Sequence, residues 1–121
     1  MITEDYVSFE VAKLLKEKGF DENTLMIYSQ DGNFMLNGVI EDTYQVLYAA
    51  PTLQMAMKWL RYEKNIHIKV HCSGHRNYLV YAQSLVTAFP DFCIESATCS
   101  FNTYEEAVNS AIKHCLTNLI K

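Results

Sequence analysis

The chain has 121 residues, of which half are hydrophobic and a fifth are charged, and this composition is typical of one globular domain. Its net charge of −4 argues against general binding to nucleic acid. No apolar run approaches the roughly 20 residues that span a bilayer, and the acidic start lacks a signal-like apolar segment, so we expect a cytoplasmic protein whose four cysteines are reduced.

The first third of the chain is predicted to form a helix and then strands. Ser8 suits the N-cap of the helix, and Gly19 suits the left-handed position that follows its end. Residues 24–29 and 34–37 are predicted strands, because the Asp31-Gly32 pair between them favours a tight turn.

A further strand is predicted from residue 43 to residue 48, and residues 38–42 are left open between strand and loop. A central helix then begins after Thr52, whose hydroxyl suits its N-cap, and ends at Asn65. Its apolar residues recur at helical spacing: Leu53, Ala56, Met57 and Leu60. Trp59 adjoins this stripe, and we expect it to pack in the core.

The segment after the central helix alternates as a strand does, so its two faces can be assigned. The predicted inner face consists of Ile66, Ile68, Val70 and Cys72. The predicted outer face consists of His67, Lys69 and His71. Residues 78–85 and 93–101 are predicted to add two more strands, and the short connections favour antiparallel pairing.

The last predicted helix has the clearest pattern. Thr103 and Glu106 are spaced as a capping box. An unbroken apolar stripe follows: Ala107, Val108, Ala111, Ile112, Cys115, Leu116 and Leu119. The whole pattern predicts one α+β domain over residues 1–121, with antiparallel sheet and three helices mainly on one face of it. The element order is helix, two or three strands, helix, three strands, helix.

Three blocks of sequence together resemble a known group. They are the segments Val7–Glu22, Ala50–Arg61 and Thr103–Ala107, which cover the helical parts of the chain. As a set they look like small uncharacterised proteins of gut Bacteroidetes and of their phages or mobile elements. The resemblance implies an origin of that kind, and it implies no activity and no catalytic residue.

Few residue patterns favour chemistry. His67 and His71 share a strand face, but four residues of strand separate them by roughly 13 Å, which is too far for one metal ion. No phosphate-binding glycine loop, nucleophile elbow or paired-cysteine motif is present. We therefore expect no metal and no cofactor, and we expect that the protein is not an enzyme.

Charge suggests where a binding surface lies. Residues 1–57 contain three basic and nine acidic residues, whereas residues 58–76 contain five basic residues and one acidic residue. A solvated surface explains this basic segment, and so does a surface that faces an anion or a partner. The candidate binding residues are His67, Lys69, His71, Arg76 and Tyr81, together with Arg61 and Tyr62 of the central helix.

Three functions remain open from the sequence. The first is a small cytoplasmic, non-catalytic protein-interaction module, with self-association into a homodimer as one form of it. The alternative is binding of an anion or a nucleic acid through residues 58–76. The third is an enzyme without a recognisable motif. None of the three involves a membrane.

Overall fold

The computed structural model describes residues 2–38, 46–84, 92–94 and 101–120. Its elements follow the predicted order. They are α1 (Phe9–Glu17), β1 (Met26–Tyr28), β2 (Phe34–Leu36), β3 (Tyr48–Ala49), α2 (Leu53–Glu63), β4 (Ile66–Gly74), β5 (Asn77–Ser84), β6 (Phe92–Ile94) and α3 (Tyr104–His114), which continues as a π-helical turn (Cys115–Leu119).

The three helices begin where their caps predict. Ser8, Thr52 and Thr103 each accept, through the side-chain oxygen, a hydrogen bond of 3.1–3.2 Å from the backbone N–H three residues later. Each bond satisfies one of the donors that a helix N-terminus leaves open. The predicted helix starts are therefore confirmed.

Positive φ angles mark the predicted stops and turns. Gly19 after α1 has φ +99°, and Gly32 between β1 and β2 has φ +90°. Asn65, between α2 and β4, has φ +57°, a conformation that asparagine adopts more readily than most residues. This residue reverses the chain out of α2, and it thereby sets the direction in which β4 leaves the helix.

The strands form two antiparallel sheets, in the orders β2-β1-β3 and β4-β5-β6. The strand predicted over residues 43–48 is observed only at Tyr48 and Ala49, while residues 39–45 lie outside the described residues. The strand predicted over residues 93–101 is observed as β6, residues 95–100 lie outside the described part, and Phe101 forms a single antiparallel bridge with Tyr78.

One hydrophobic core joins the helices to the second sheet. Helix α2 packs on β4, and α3 packs on both β4 and β5. Their apolar stripes meet the inner face of that sheet, where Ile66, Ile68, Val80 and Ala82 are buried. The predicted α3 stripe from Ala107 to Leu116 is fully buried, and the side chain of Leu119 lies outside the described part. These observations confirm a small α+β domain.

The inner face of β4 is buried along only part of its length. Cys72 continues the register of Ile66 and Ile68, but it is exposed rather than buried with them, and Val70 is only half-buried. Alternation along β4 persists, yet residues 71–76 are exposed on both faces. The tip of the β4–β5 hairpin is therefore accessible to solvent.

Candidate functional site

The outer face of the β4–β5 hairpin brings together most of the predicted binding residues. We define this outer face by the alternating residues that point away from the helices. Opposite His67, Lys69 and His71 of β4 stand, in that order, Gln83, Tyr81 and Leu79 of β5. Lys69 and His71 are exposed, and the other four are half-buried.

Lys69 and Tyr81 form the centre of this outer face. They are directly opposed across the strands, so their Cβ atoms are about 4.5–5.5 Å apart. An ammonium group beside a half-exposed aromatic ring can pair with an anion while the ring stacks on an adjoining apolar group. Two residues nearer the turn on each strand, His71 stands opposite Leu79, so a polar side chain again lies beside an apolar one.

His67 differs from its neighbours on the outer face. Its Nδ1 atom is buried and has no hydrogen-bond partner among the described residues, whereas buried polar atoms are usually paired. The side chain is therefore partly covered, and it contributes less accessible surface than its position on the face predicts.

The hairpin tip, residues 72–76, is exposed throughout. Arg76 occupies the turn with φ +58°, and the Cys72 thiol donates a hydrogen bond of 3.1 Å to the Gly74 carbonyl oxygen. The whole hairpin, residues 66–84, contains Lys69, Arg76 and three histidines and no Asp or Glu. It is a basic segment of a chain whose net charge is −4.

The structure places Arg61 and Tyr62 elsewhere. Both lie at the end of α2, which packs on the inner side of the sheet. Tyr62 is 72% exposed, and Arg61 is half-buried. The predicted binding residues therefore divide between two surfaces, the hairpin and the end of α2.

Tyr62 belongs to a cleft between α2 and the segment that follows α1. The cleft has a volume of about 280 Å³. We call it the aromatic cleft, and its lining residues are Phe20, Glu22, Asn23, Met55, Lys58, Trp59, Tyr62 and Glu63. Its floor consists of the Phe20 and Trp59 rings, which meet edge to face with centroids 5.5 Å apart.

Sequence reasoning missed the aromatic cleft. Trp59 was expected in the core, and at 8% exposure it is buried there. A signal was nevertheless present, because Met55, Trp59 and Tyr62 are spaced by four and three residues on α2 and so share one face. Phe20 could not be assigned to that face, since 39 residues separate it from Trp59 in the sequence.

Two lysines already lie over rings of this region. Lys58 Nζ is 5.8 Å from the centroid of Tyr62, and Lys64 Nζ is 5.4 Å from that of Trp59. Both distances are within the range of cation–π attraction. Among the described residues, Glu22 and Glu63 form no ion pair, so two carboxylates border the aromatic cleft without a cationic partner.

The two cysteines with described side chains are free thiols in contrasting environments. Cys115 is fully buried, and its burial raises the pKa of the thiol to about 12. It is therefore protonated near neutral pH and unreactive, because the thiolate is the nucleophile. Cys72 lies at the exposed hairpin tip.

We expect alkylating agents to distinguish these thiols. In the native protein near neutral pH, Cys72 should be modified well before Cys115, because reagent reaches only the former. Peptide mapping by mass spectrometry at successive times measures the order. After unfolding without reductant, four thiols should react, and a count of two or none would reveal disulfides. Simultaneous modification of Cys72 and Cys115 in the native protein would contradict the packing of α3.

In the part of the chain that the structure describes, no three His, Cys, Asp or Glu side chains are grouped so that they could hold a metal ion. No helix of that part is long and apolar enough to cross a bilayer. Comparisons of the chain with family models, curated proteins and solved structures find no match.

Proposed function

We propose that this protein is a small, non-catalytic protein-interaction module whose contact surface is the outer face of the β4–β5 hairpin. The observation that carries the proposal is a hairpin without Asp or Glu, on whose outer face Lys69 stands opposite Tyr81 and His71 stands opposite Leu79. Such a surface complements an acidic partner surface that also presents apolar groups.

The composition of the outer face supports this role over a purely solvated surface. Leu79 and Tyr81 are half-buried apolar side chains next to the exposed Lys69 and His71. Tyrosine supplies a large contact area at a small cost in conformational entropy. Electrostatic complementarity would steer a partner to the hairpin and set its orientation.

The test is a double substitution in the centre of this face. Lys69→Glu with Tyr81→Ser should leave the fold intact, because neither side chain is fully buried, while capture of the partner from the native host is lost. Circular dichroism and thermal unfolding check the fold, and affinity capture with and without nuclease treatment identifies what binds. Sedimentation velocity reports self-association.

Lys13→Glu is the matched control, since it reverses the charge of an exposed lysine on α1, on a different element. It should behave as the unmodified protein does. If the double variant remains folded and is unchanged in both capture and sedimentation, the outer face is not the contact surface.

A second candidate is binding of a nucleic acid through the same hairpin. It is favoured by the absence of acidic residues over residues 66–84, and it is disfavoured by the net charge of −4. Captured material that disappears on nuclease treatment would support it. The affinity of the protein for a labelled oligonucleotide would then fall as the salt concentration rises. The logarithm of the binding constant would fall with the logarithm of the salt concentration, with a slope of about −0.9 for each phosphate contacted.

A further inference from the structure

We propose that the aromatic cleft is a binding site for a guanidinium group, and that its occupant is Arg76 from the hairpin tip of a second copy of this chain. This inference rests on the proposed role of the β4–β5 hairpin as a contact surface. It adds the opposing surface and the identity of the partner.

The chemistry of the aromatic cleft suits a guanidinium. This group is planar and weakly hydrated, so it stacks on aromatic faces and binds carboxylates through two parallel hydrogen bonds. The cleft provides the Trp59 and Tyr62 rings together with Glu22 and Glu63, whose two negative charges outnumber the one positive charge of Lys58 in the lining. Its volume of about 280 Å³ is just below the usual range of roughly 300–1,000 Å³ for small-molecule pockets, and a single long side chain would fill much of it.

Two lysines of this chain already contact the rings of the cleft. Lys58, which lines the cleft, and Lys64 each lie over one ring, at 5.8 and 5.4 Å, and both are on flexible stems. An arginine would gain stacking and also the two carboxylates that no cation of the described chain engages. A guanidinium is also more weakly hydrated than an ammonium, so it loses less hydration when it stacks on a ring.

Only two arginines are present in the chain, and their positions differ. Arg61 is half-buried on α2. Arg76 is exposed at the turn of the β4–β5 hairpin, so another molecule can reach its side chain. No carboxylate of residues 66–84 competes for it.

The backbone at Arg76 provides an independent reason to assign it a role. Its φ of +58° lies in the left-handed region, where glycine is unstrained and residues with a Cβ are not. Strained residues of this kind cluster at functional sites. A glycine would fit this turn better, and yet an arginine occupies it.

The geometry favours a second molecule as the source of Arg76. β4 begins three residues after Glu63 of the cleft and then extends for nine residues, which carries the tip roughly 26 Å from Ile66. Arg76 is not among the residues that line the cleft of its own chain. If each copy gives one tip and receives one, the contact closes about a two-fold axis as a dimer.

Two measurements test the site and its occupant. The single tryptophan of the chain forms the floor of the cleft, so its fluorescence reports binding directly. Addition of the blocked peptide acetyl-Gly-Arg-Gly-amide should shift this fluorescence, and the lysine analogue should bind about tenfold more weakly. Glu22→Gln with Glu63→Gln should lose the response. Sedimentation velocity over a dilution series should show a dimer that dissociates.

Arg76→Gly separates the contact from the fold. Because glycine adopts the positive φ of this turn without strain, the substitution should leave the melting temperature unchanged or raise it. The variant should be monomeric. This monomer should still respond to the arginine peptide, because its cleft is intact. The neighbouring control His75→Ala should remain dimeric. Any one of three results would overturn the proposal. The native protein could be monomeric at every concentration, the Arg76→Gly variant could dimerise normally, or the cleft could fail to respond to the peptide.

These outcomes are distinguishable from those of the proposed function. A monomeric protein whose capture of a partner still depends on Lys69 and Tyr81 would refute the arginine contact and leave the interaction module standing. If the protein forms a dimer that depends on Arg76, but capture of a partner is unchanged when Lys69 and Tyr81 are replaced, the arginine contact stands and the outer face is not the contact surface of an interaction module.

Discussion

Replacing Ile112 by alanine should lower the free energy of unfolding by about 2–5 kcal/mol. Ile112 is 0% exposed and lies on α3, where that helix packs on β4 and β5. Truncation removes buried apolar surface and leaves a cavity that the close-packed neighbours fill only in part. Since a domain of this size is stable by about 5–15 kcal/mol in total, chemical denaturation should show a clearly lower midpoint.

The matched control is the same substitution at Ile2, which is 100% exposed. Ile2→Ala should change the free energy of unfolding by no more than about 0.5 kcal/mol. If the two variants unfolded at the same denaturant concentration, Ile112 would not be a core residue, and the assigned phase of α3 would be wrong.

Leu60→Ala should be comparably destabilising, by about 2–5 kcal/mol, which corresponds to a fall in melting temperature of roughly 10 °C or more. Leu60 is 0% exposed, and its carbonyl oxygen accepts the hydrogen bond from Lys64 N–H that closes α2. Loosening this turn affects the residues from which β4 departs. Hydrogen exchange should therefore show reduced protection at the start of the hairpin as well as in α2.

Two controls bracket this effect. Leu60→Met conserves volume and should cost less than about 1.5 kcal/mol. Leu36→Ala removes the same atoms from a half-exposed position on the edge strand β2 and should have a much smaller effect. Equal losses for Leu60→Ala and Leu36→Ala would show that α2 is not packed as described.

Features that depend on neighbours in sequence were predictable. The side-chain oxygens of Ser8, Thr52 and Thr103 each accept a hydrogen bond from an N–H only three residues away. A short segment of sequence is therefore enough to predict where each helix begins. The same holds for the left-handed stops at Gly19 and Asn65, because a positive φ depends on the side chain of that residue. Three helices and the antiparallel hairpins follow from such local rules.

The outer face was predictable in part. Strand alternation alone assigns His67, Lys69 and His71 to one side of β4, and the observed register places Tyr81 and Leu79 opposite Lys69 and His71. Burial along the strand was not predictable. Alternation distinguishes the two sides of a strand, but it does not reveal which residues of one side are covered, and so the exposure of Cys72 was not predictable.

Local elements, the two sides of the hairpin strands and the positive charge of the hairpin could be derived from short stretches of sequence. The exposure of the hairpin tip and the contact between Phe20 and Trp59 that forms the aromatic cleft could not, because both depend on how the folded chain packs. Contacts of that kind join residues distant in the chain, and they form only when the apolar faces of separate elements are buried together.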